Sequence, residues 1–360
     1  MERNLLIKGD NFKGLLYLLE TMNLGGKIDL VYIDPPFATG TDFTVAGDRV
    51  STISSSRNGE IAYSDKLIGR DYIEFLKTRM ILLRELLSDR GSIYVHTDYK
   101  TGHYVKVMMD EVFGIENFRN DITRIKCNPK NFPRIGFGNI KDMILFYTKS
   151  SNPIWNEPYE PYTEEEIARL FPKVDARGRR YTTVPIHAPG ETQNGKSNQP
   201  FRGIMPPRGR HWRTDVQTLE QWDKEGLIEW SSTGNPRKII YAEEKLGRGK
   251  RVQDVWVFKD PQYPVYPTEK NFEMLELIIR TSSNPGSLVL DCFCGSGTTL
   301  KAAHLNGRKW IGIDNSEIAI RATIAKLESV RDDLFTHKPE YEFIDLEEAG
   351  LAEHSKDQNV

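Results

Sequence analysis

The run Ile28-Asp29-Leu30-Val31-Tyr32-Ile33, followed directly by Asp34-Pro35-Pro36-Phe37, decides the prediction of the fold. The first six residues are mostly apolar and predict a buried strand, and the two prolines predict that the chain leaves this strand in a stiff turn. A carboxylate, a carbonyl oxygen and an aromatic ring therefore fall within four residues at the carboxyl end of a strand. In an open α/β sheet, ligands bind at that end.

These groups suit one chemical task. The exocyclic amine of a nucleobase is a poor nucleophile because its lone pair is delocalised into the ring, and two acceptors holding its N–H groups would bias the nitrogen towards tetrahedral geometry. Asp34 and the Pro35 carbonyl are such acceptors, and Phe37 offers a face on which a base that has left its duplex can stack. The alternative is that Pro35 and Pro36 simply end the strand and that Phe37 belongs to the core.

Strand-like and helix-like segments alternate around this turn, which predicts a doubly wound, mostly parallel sheet. Strands are expected over 5–7, 92–98, 122–127 and 143–147, with helices over 73–87 and 104–112. The polar, glycine-containing stretch 39–65 is predicted to be a loop. His96 and Asp98 are interpreted as polar residues that shape the end of a strand, and a direct chemical role for them is the alternative.

A second turn follows the buried strand predicted over 287–291. It reads Asp291-Cys292-Phe293-Cys294-Gly295-Ser296-Gly297-Thr298, and such a glycine-rich turn lets a ligand approach the backbone and a helix N-terminus closely. The next strand ends at Asp314, which can hold two ribose hydroxyls or, alternatively, cap a helix. Leu300 stands where a dinucleotide fingerprint wants glycine or alanine, so the pattern suits a nucleoside joined to an amino acid, such as S-adenosylmethionine.

Residues 151–262 are rich in proline, glycine, tryptophan and charge without a regular period, and they predict an inserted domain. Basic residues interleaved with aromatic ones suit contact with phosphates and bases. A solvated charged face is the alternative, because glutamates lie among them. The residues predicted to contact DNA are Arg202, Arg208, Arg210, Trp212, Arg213, Lys250 and Arg251.

The 360 residues are enough for one large α/β domain and a smaller insertion. No apolar run approaches membrane-spanning length and the first residues do not resemble a signal peptide, so we expect a cytoplasmic protein. A net charge of −2 means that DNA binding would depend on local basic clusters. The three cysteines, Cys127, Cys292 and Cys294, are expected to be small buried residues and not metal ligands.

Taken together and in this order, the motifs resemble the DNA amino-methyltransferases of the circularly permuted β group, and the resemblance extends from about residue 4 to 327. It implies that Asp34-Pro35-Pro36-Phe37 is the catalytic motif and that a separate set of residues binds the cofactor. The segment before the cofactor strand departs from the family, since Glu269-Lys270-Asn271 replaces the usual Gln-Lys-Pro. The implied cofactor-binding residues are Asp10, Thr268, Lys270, Asp291, Phe293, Gly295, Gly297, Thr298 and Asp314.

The resemblance implies a Rossmann-like class I methyltransferase fold, circularly permuted, with an inserted target-recognition domain. The catalytic half would occupy residues 1–150, the insertion 151–262, the cofactor half 263–345 and a polar tail 346–360. The implied activity is methyl transfer from S-adenosylmethionine to N6 of adenine in double-stranded DNA after base flipping, without a metal.

Several alternatives stay open. They are cytosine N4 as the target, a specificity subunit that has lost catalysis, and RNA or a protein glutamine as the substrate. A restriction-endonuclease partner and a homodimer are compatible with the resemblance, and no membrane is implied.

Overall fold

The structure is a computed structural model that describes residues 3–36, 42–46, 49–50, 60–64, 69–129, 131, 133, 135–190, 195–262, 264, 269–332 and 337–349. The chain divides into two compact units. One unit is formed by Met1–Pro158 together with Gln253–Val360, and the other by Tyr159–Val252. The second unit lies within the stretch 151–262 that the sequence marks as an insertion.

In the first part of the chain, the described residues form eight strands and three α-helices, with a π-helical turn over Tyr17–Thr21 and a 3-10 turn over Ile115–Asn117. The elements are β1 Asn4–Lys8, α1 Asn11–Leu16, β2 Ile28–Ile33, β3 Asp42–Ala46, β4 Arg49–Val50, β5 Glu60–Ser64, α2 Arg70–Leu86, β6 Leu87–Thr97, α3 Gly102–Phe113, β7 Phe118–Ile125 and β8 Lys141–Thr148.

The second unit consists of short strands and helices. They are β9 Tyr159–Glu160, α4 Glu164–Leu170, β10 Lys173–Val174, β11 Arg180–Pro185, β12 His187–Pro189, β13 Arg210–Trp212, α5 Val216–Lys224, β14 Ile228–Trp230, β15 Pro236–Tyr241, α6 Ala242–Leu246 and β16 Lys250–Arg251. Strands β10, β11, β15 and β14 form an antiparallel sheet in that order.

The chain then returns to the first unit. The remaining elements are β17 Val255–Val257, α7 Phe272–Ser282, β18 Leu288–Asp291, α8 Thr298–Leu305, β19 Lys309–Asp314, α9 Glu317–Glu328 and β20 Tyr341–Asp345.

The first unit is built on a nine-stranded sheet in the order β17-β7-β8-β6-β2-β18-β19-β1-β20. All neighbouring pairs are parallel except those that β8 makes with β6 and β7. Strands β18 and β19, from the end of the chain, lie between β2 and β1, from its beginning. The two ends of the chain therefore complete one sheet, and the predicted Rossmann-like, circularly permuted fold is confirmed.

The core explains why these segments adopt their structure. In β2 every residue except Asp29 is buried, as expected for a strand covered on both faces. In α2 the buried residues Leu76, Met80 and Leu83 recur at helical spacing and join the same hydrophobic cluster. Cys292 and Cys294 are buried as expected, whereas Cys127 is only partly buried.

One prediction about the fold is wrong. The stretch 39–65 contains strands β3, β4 and β5, which form a separate antiparallel sheet, instead of a loop without strands. The composition of the stretch is polar, but β-branched and aromatic residues recur within its strands and favour extended structure. No helix among the described residues is long and apolar enough to cross a membrane.

Candidate active site

Three neighbouring strands of the large sheet lead to acids at one edge. Asp34 follows β2 directly, whereas Asp291 and Asp314 are the last residues of β18 and β19. These strands are parallel, so their carboxyl ends meet at the same edge. The three acids line one cavity, which is partly open to solvent. The other lining residues are Tyr32, Pro35, Pro36, Glu269, Lys270, Leu275, Phe293, Cys294, Gly295, Ser296, Thr298, Thr299 and Asn315.

The two oxygens of Asp34 have different surroundings. Oδ2 lies 2.5 Å from Lys270 Nζ, so the carboxylate is paired with a cation. Oδ1 is buried and has no hydrogen-bond partner within the part of the chain that the structure describes. A buried acceptor without a donor costs free energy, and such atoms are expected where a ligand supplies the missing donor. Phe37, predicted to stack on the base, lies outside the described residues.

The glycine-rich turn after β18 donates two of its backbone amides to Asp291 and Asp314. The Phe293 amide donates to Asp291 Oδ1 at 3.0 Å, and the Gly295 amide donates to Asp314 Oδ2 at 2.9 Å. Gly297 caps α8 with φ of +73°, and a Cβ at this position would lie 2.8 Å from the Thr323 side chain. Only glycine fits at position 297 without strain. The residues on either side of it line the cavity, so the backbone of the turn and the N-terminus of α8 lie there.

Burial raises the pKa of Asp291 to about 7, and the hydrogen bonds that it accepts from Thr299 and Phe293 only partly offset this. Burial also raises the pKa of Asp314. Buried carboxylates gain most from a cationic ligand, because it removes the cost of ionising them in a low-dielectric site. S-adenosylmethionine is a cationic nucleoside with an amino-acid end. The two acids suit its positive charge and Lys270 can pair with its carboxylate, so these residues fit this ligand.

Lys326 on α9 ties the glycine-rich turn to the segment that carries Lys270. Its ammonium donates to Ser296 Oγ at 2.9 Å and to Thr298 Oγ1 at 2.7 Å, and it also pairs with Glu269. Burial lowers the pKa of Lys326, while the Glu269 carboxylate favours its charged form. No motif in the sequence points to this residue. A signal exists, because a lysine three positions after the buried Thr323 falls on the inward face of an amphipathic helix.

Asp10 and Gly297, both predicted to bind the cofactor, are not among the described residues that line the cavity. Asp10 caps α1 by accepting from the Lys13 amide at 3.1 Å, and its carboxylate lies 3.3 Å from Arg79 Nη2. Asp10 is absent from the cavity lining that the described residues form. Thr268 lies outside the described residues.

Leu300, the departure from a dinucleotide fingerprint, packs against Gly312 on β19. A Cβ at position 312 would clash with Leu300 Cδ1. The close approach of helix and strand that a third glycine provides in the fingerprint is thus provided here by a glycine on the strand.

In the second unit, Trp212 is a core residue. Only 1% of its surface is exposed, it packs with Ile186, Phe201 and Leu219, and its indole N–H donates to the Gln199 carbonyl at 2.9 Å. A buried indole cannot stack on a base, so the prediction that Trp212 contacts DNA is wrong. The aromatic residue was needed to fill a small core, which sequence alone does not distinguish from a surface role.

Two of the basic residues predicted to contact DNA form ion pairs with acids. Arg202 pairs with Asp223 at 2.5 Å, and Lys250 pairs with Glu160 at 3.0 Å and with Glu166. Arg202 is itself exposed, and so are Arg208, Arg210, Arg213 and Arg251. Three of these exposed arginines lie in or beside β13. The Arg210 guanidinium donates to His187 Nδ1 on the paired strand β12 at 3.1 Å. Arginines around β13 are therefore the better candidates for contacting phosphates.

A family model for N6/N4-type DNA methylases matches residues 28–326, a range that includes both the β2 turn and the glycine-rich turn. The chain belongs to this DNA methylase family. The family predicted from the motifs is confirmed.

Curated relatives of this DNA methylase include restriction-modification enzymes. The type II methyltransferase M.EcaI of Enterobacter cloacae is 43% identical over 317 residues, which cover 86% of this chain and 67% of the relative. The StyLTI Mod subunit of a type III restriction-modification enzyme of Salmonella typhimurium is 25% identical over 336 residues, 83% of this chain and 49% of the relative. This chain thus spans about two thirds of the first relative and half of the second.

Among solved structures, the DNA modification methylase TTHA0409 of Thermus thermophilus, complexed with S-adenosyl-L-methionine, is similar with a TM-score of 0.48 and 15% identity. The match covers 95% of this chain and 98% of that chain.

Proposed function

We propose that this DNA methylase transfers the methyl group of S-adenosylmethionine to N6 of adenine in duplex DNA after the base has left its stack. The observation that carries the proposal is the unpaired, buried Asp34 Oδ1 at a cavity that also contains the glycine-rich turn. An amine supplies the donor that this oxygen lacks. The neighbouring Pro35 carbonyl can accept the second N–H of the same amine.

When bound, S-adenosylmethionine supplies a methyl group on a sulfonium, which is already a good leaving group. Asp314 would hold the ribose, because its two oxygens accept one backbone amide each, from Gly295 and Ser316, and an ionised carboxylate has further lone pairs to offer. Asp291 would meet the cationic part of the ligand, and Lys270 its carboxylate. These assignments follow from charge and position at the cavity.

The contribution of the protein to the transfer would be alignment and electrostatics. Two acceptors fix the plane and direction of the amine, and the stiff Pro35-Pro36 turn holds the Asp34 carboxylate relative to the sheet. Removal of the charge of Asp34 is therefore expected to lower the rate of transfer, not only the affinity for substrate.

The choice of adenine depends on the motif. The family includes enzymes for both exocyclic amines, and within it an Asp in the first position of the motif favours adenine, whereas cytosine enzymes more often carry Ser. The exposed arginines around β13 support duplex DNA as the substrate, since they can neutralise phosphates. A nuclease partner and a homodimer stay predictions.

The test is transfer of labelled methyl from S-adenosylmethionine to mixed-sequence duplex DNA, followed by nucleoside analysis. N6-methyladenine is expected from the parent protein and none from Asp34→Ala. Asp29→Ala is the matched control, because Asp29 lies in β2, the strand that precedes Asp34, but accepts from Ser88 Oγ at 3.0 Å and does not line the cavity. N4-methylcytosine would overturn the choice of base, and transfer to RNA or protein but not to DNA would overturn the proposal.

A further inference from the structure

A chain of buried polar side chains runs from the wall of the cavity into the sheet. The Tyr32 hydroxyl lies 2.9 Å from His96 Nδ1, and His96 Nε2 lies 3.2 Å from Asp142 Oδ2. The three residues are on the adjacent strands β2, β6 and β8 and are at most 3% exposed. Tyr32 lines the same cavity as Asp34. The mechanism above uses none of the three side chains.

The direction of each hydrogen bond follows from the charge of Asp142. Burial opposes its ionisation, but the hydrogen bond from His96 and the ammonium of Lys126, whose Nζ lies 2.6 Å from Oδ1, outweigh this and hold the pKa of Asp142 well below its ordinary value. An ionised carboxylate only accepts, so the proton between His96 and Asp142 must be on His96 Nε2.

The direction of the hydrogen bond between His96 and Tyr32 follows in the same way. Burial lowers the pKa of His96, so its ring is neutral and Nδ1 is an acceptor. Burial raises the pKa of Tyr32, so the phenol keeps its proton. The Tyr32 hydroxyl therefore donates to His96 and has only lone pairs to offer elsewhere.

This direction matters for Asp34. Tyr32 and Asp34 are two positions apart and line the same cavity, so the phenol and the carboxylate belong to one site. A phenol beside a carboxylate ordinarily donates to it, because hydrogen bonds to an ionised acceptor are the strong ones. Yet Asp34 Oδ1 is buried and accepts from no described residue. The Tyr32 proton is held by His96 instead.

We propose that His96, oriented by Asp142, is a positioning residue that withholds the Tyr32 proton from Asp34 and so keeps the Asp34 carboxylate available to the target amine. The role of Asp34 as the acceptor of that amine belongs to the proposed function, on which this inference rests. If His96 could not accept, the Tyr32 hydroxyl would turn to Asp34 and compete with the substrate for its oxygen.

The test is whether removal of the Tyr32 hydroxyl rescues loss of His96. In single-turnover methyl transfer, His96→Leu is expected to be slower by about 10- to 100-fold, the range for one hydrogen bond to a charged group. The double variant Tyr32→Phe with His96→Leu should transfer methyl at most about 3-fold more slowly than Tyr32→Phe alone, because no hydroxyl is left to donate to Asp34. His96→Leu with Tyr94→Phe is the matched control, since the buried Tyr94 hydroxyl bonds Ser282 away from the cavity, and no rescue is expected there.

Several outcomes would overturn the proposal. A double variant as slow as His96→Leu indicates a merely structural role for His96, and an unchanged rate in His96→Leu shows that Tyr32 does not compete for Asp34. His96→Asn is compared in the same way in case the leucine variant does not fold.

A second readout does not depend on activity. In protein labelled with nitrogen-15 histidine, the seven histidines can be observed by NMR and His96 identified by its loss in His96→Asn. The proposal requires a proton on Nε2 and an acceptor Nδ1 whose shift changes in Tyr32→Phe, and a proton on Nδ1 would overturn it. If the parent protein transfers no methyl to DNA, the proposed function fails, and this experiment still decides the arrangement of Tyr32 and His96.

Discussion

Lys270 Nζ lies 2.5 Å from Asp34 Oδ2, and the two side chains are only 9% and 17% exposed. The sequence assigns Lys270 to the cofactor and Asp34 to the target base, but the structure joins them. The lysine thus compensates the charge of an acid that shares its cavity with two further carboxylates, Asp291 and Asp314.

Removal of the Lys270 ammonium is expected to lower the stability of the folded protein. Breaking a buried ion pair by removing one partner leaves an uncompensated charge, so Lys270→Met should lower the free energy of unfolding by about 3 kcal/mol in the absence of ligand. The control is Lys77→Met, which breaks an exposed pair with Glu111 and should cost about 1 kcal/mol or less. Urea unfolding monitored by tryptophan fluorescence measures both, and equal losses would show that the Asp34–Lys270 pair does not contribute more than a surface pair.

Lys326 should matter for cofactor affinity. Lys326→Met removes the donor shared by Ser296, Thr298 and Glu269, and it leaves the Glu269 carboxylate without that cation. We expect binding of S-adenosylhomocysteine, measured by calorimetry, to weaken by about 10- to 100-fold. Lys301→Met is the control, because Lys301 bonds only the Ser329 hydroxyl among the contacts described for its ammonium. Unchanged affinity in Lys326→Met would remove it from the cofactor site.

The pH dependence of stability should report Asp291. Its pKa is raised from about 4 to about 7 in the folded protein, so between these pH values the folded state holds a proton that the unfolded chain has released. The free energy of unfolding therefore falls as pH rises through this window, by about 4 kcal/mol in total, and the loss is complete above pH 7. Asp291→Asn cannot ionise and keeps an acceptor for Phe293.

Without cofactor, Asp291→Asn should accordingly be more stable than the parent at pH 8 and closest to it near pH 4. Urea unfolding across this range gives the comparison, and Asp29→Asn, near the start of the neighbouring strand β2, is the control. The prediction fails if the difference in stability between the parent and Asp291→Asn does not change with pH.

Loss of an arginine beside β13 should weaken DNA binding more than loss of an arginine that pairs with an acid. Arg213→Gln is expected to weaken binding of duplex DNA and to reduce the slope of log affinity against log salt by about 1, the value for one lost phosphate contact. Arg202→Gln should have a smaller effect, since this guanidinium already pairs with Asp223. Fluorescence anisotropy at several salt concentrations measures both slopes. A larger effect of Arg202→Gln would reverse the assignment of the DNA-contacting surface.

The site residues that can be predicted from the sequence are those at the carboxyl ends of strands. Asp34, Asp291 and Asp314 each come at the end of an apolar run, and a parallel sheet brings such residues to one edge without any knowledge of the other contacts. Lys326 could not be found in this way, because its partners Ser296 and Glu269 are distant in sequence and become neighbours only when α9 packs. The pairing of Tyr32 with His96 likewise depends on the order of β2 and β6 in the sheet.

The errors have equally specific causes. Trp212 has the residue type of a stacking platform, and only burial shows that it fills the small core of the second unit. The stretch 39–65 has the polar composition of a loop, although strands β3 and β5 pair within it.

The order of strands also has a consequence for synthesis of the protein on the ribosome. Strand β1 pairs only with β19 and β20 in the described sheet, and Asn4 bonds the backbone of Trp310, which is 306 positions away. Strand β1 must therefore wait until residues 306 positions later have been made before it finds these neighbours, and contacts of such long range fold slowly. A nascent chain that ends before β18 carries the Asp34 turn but neither Asp291 nor Asp314, so premature termination leaves the cavity without two of its three acids.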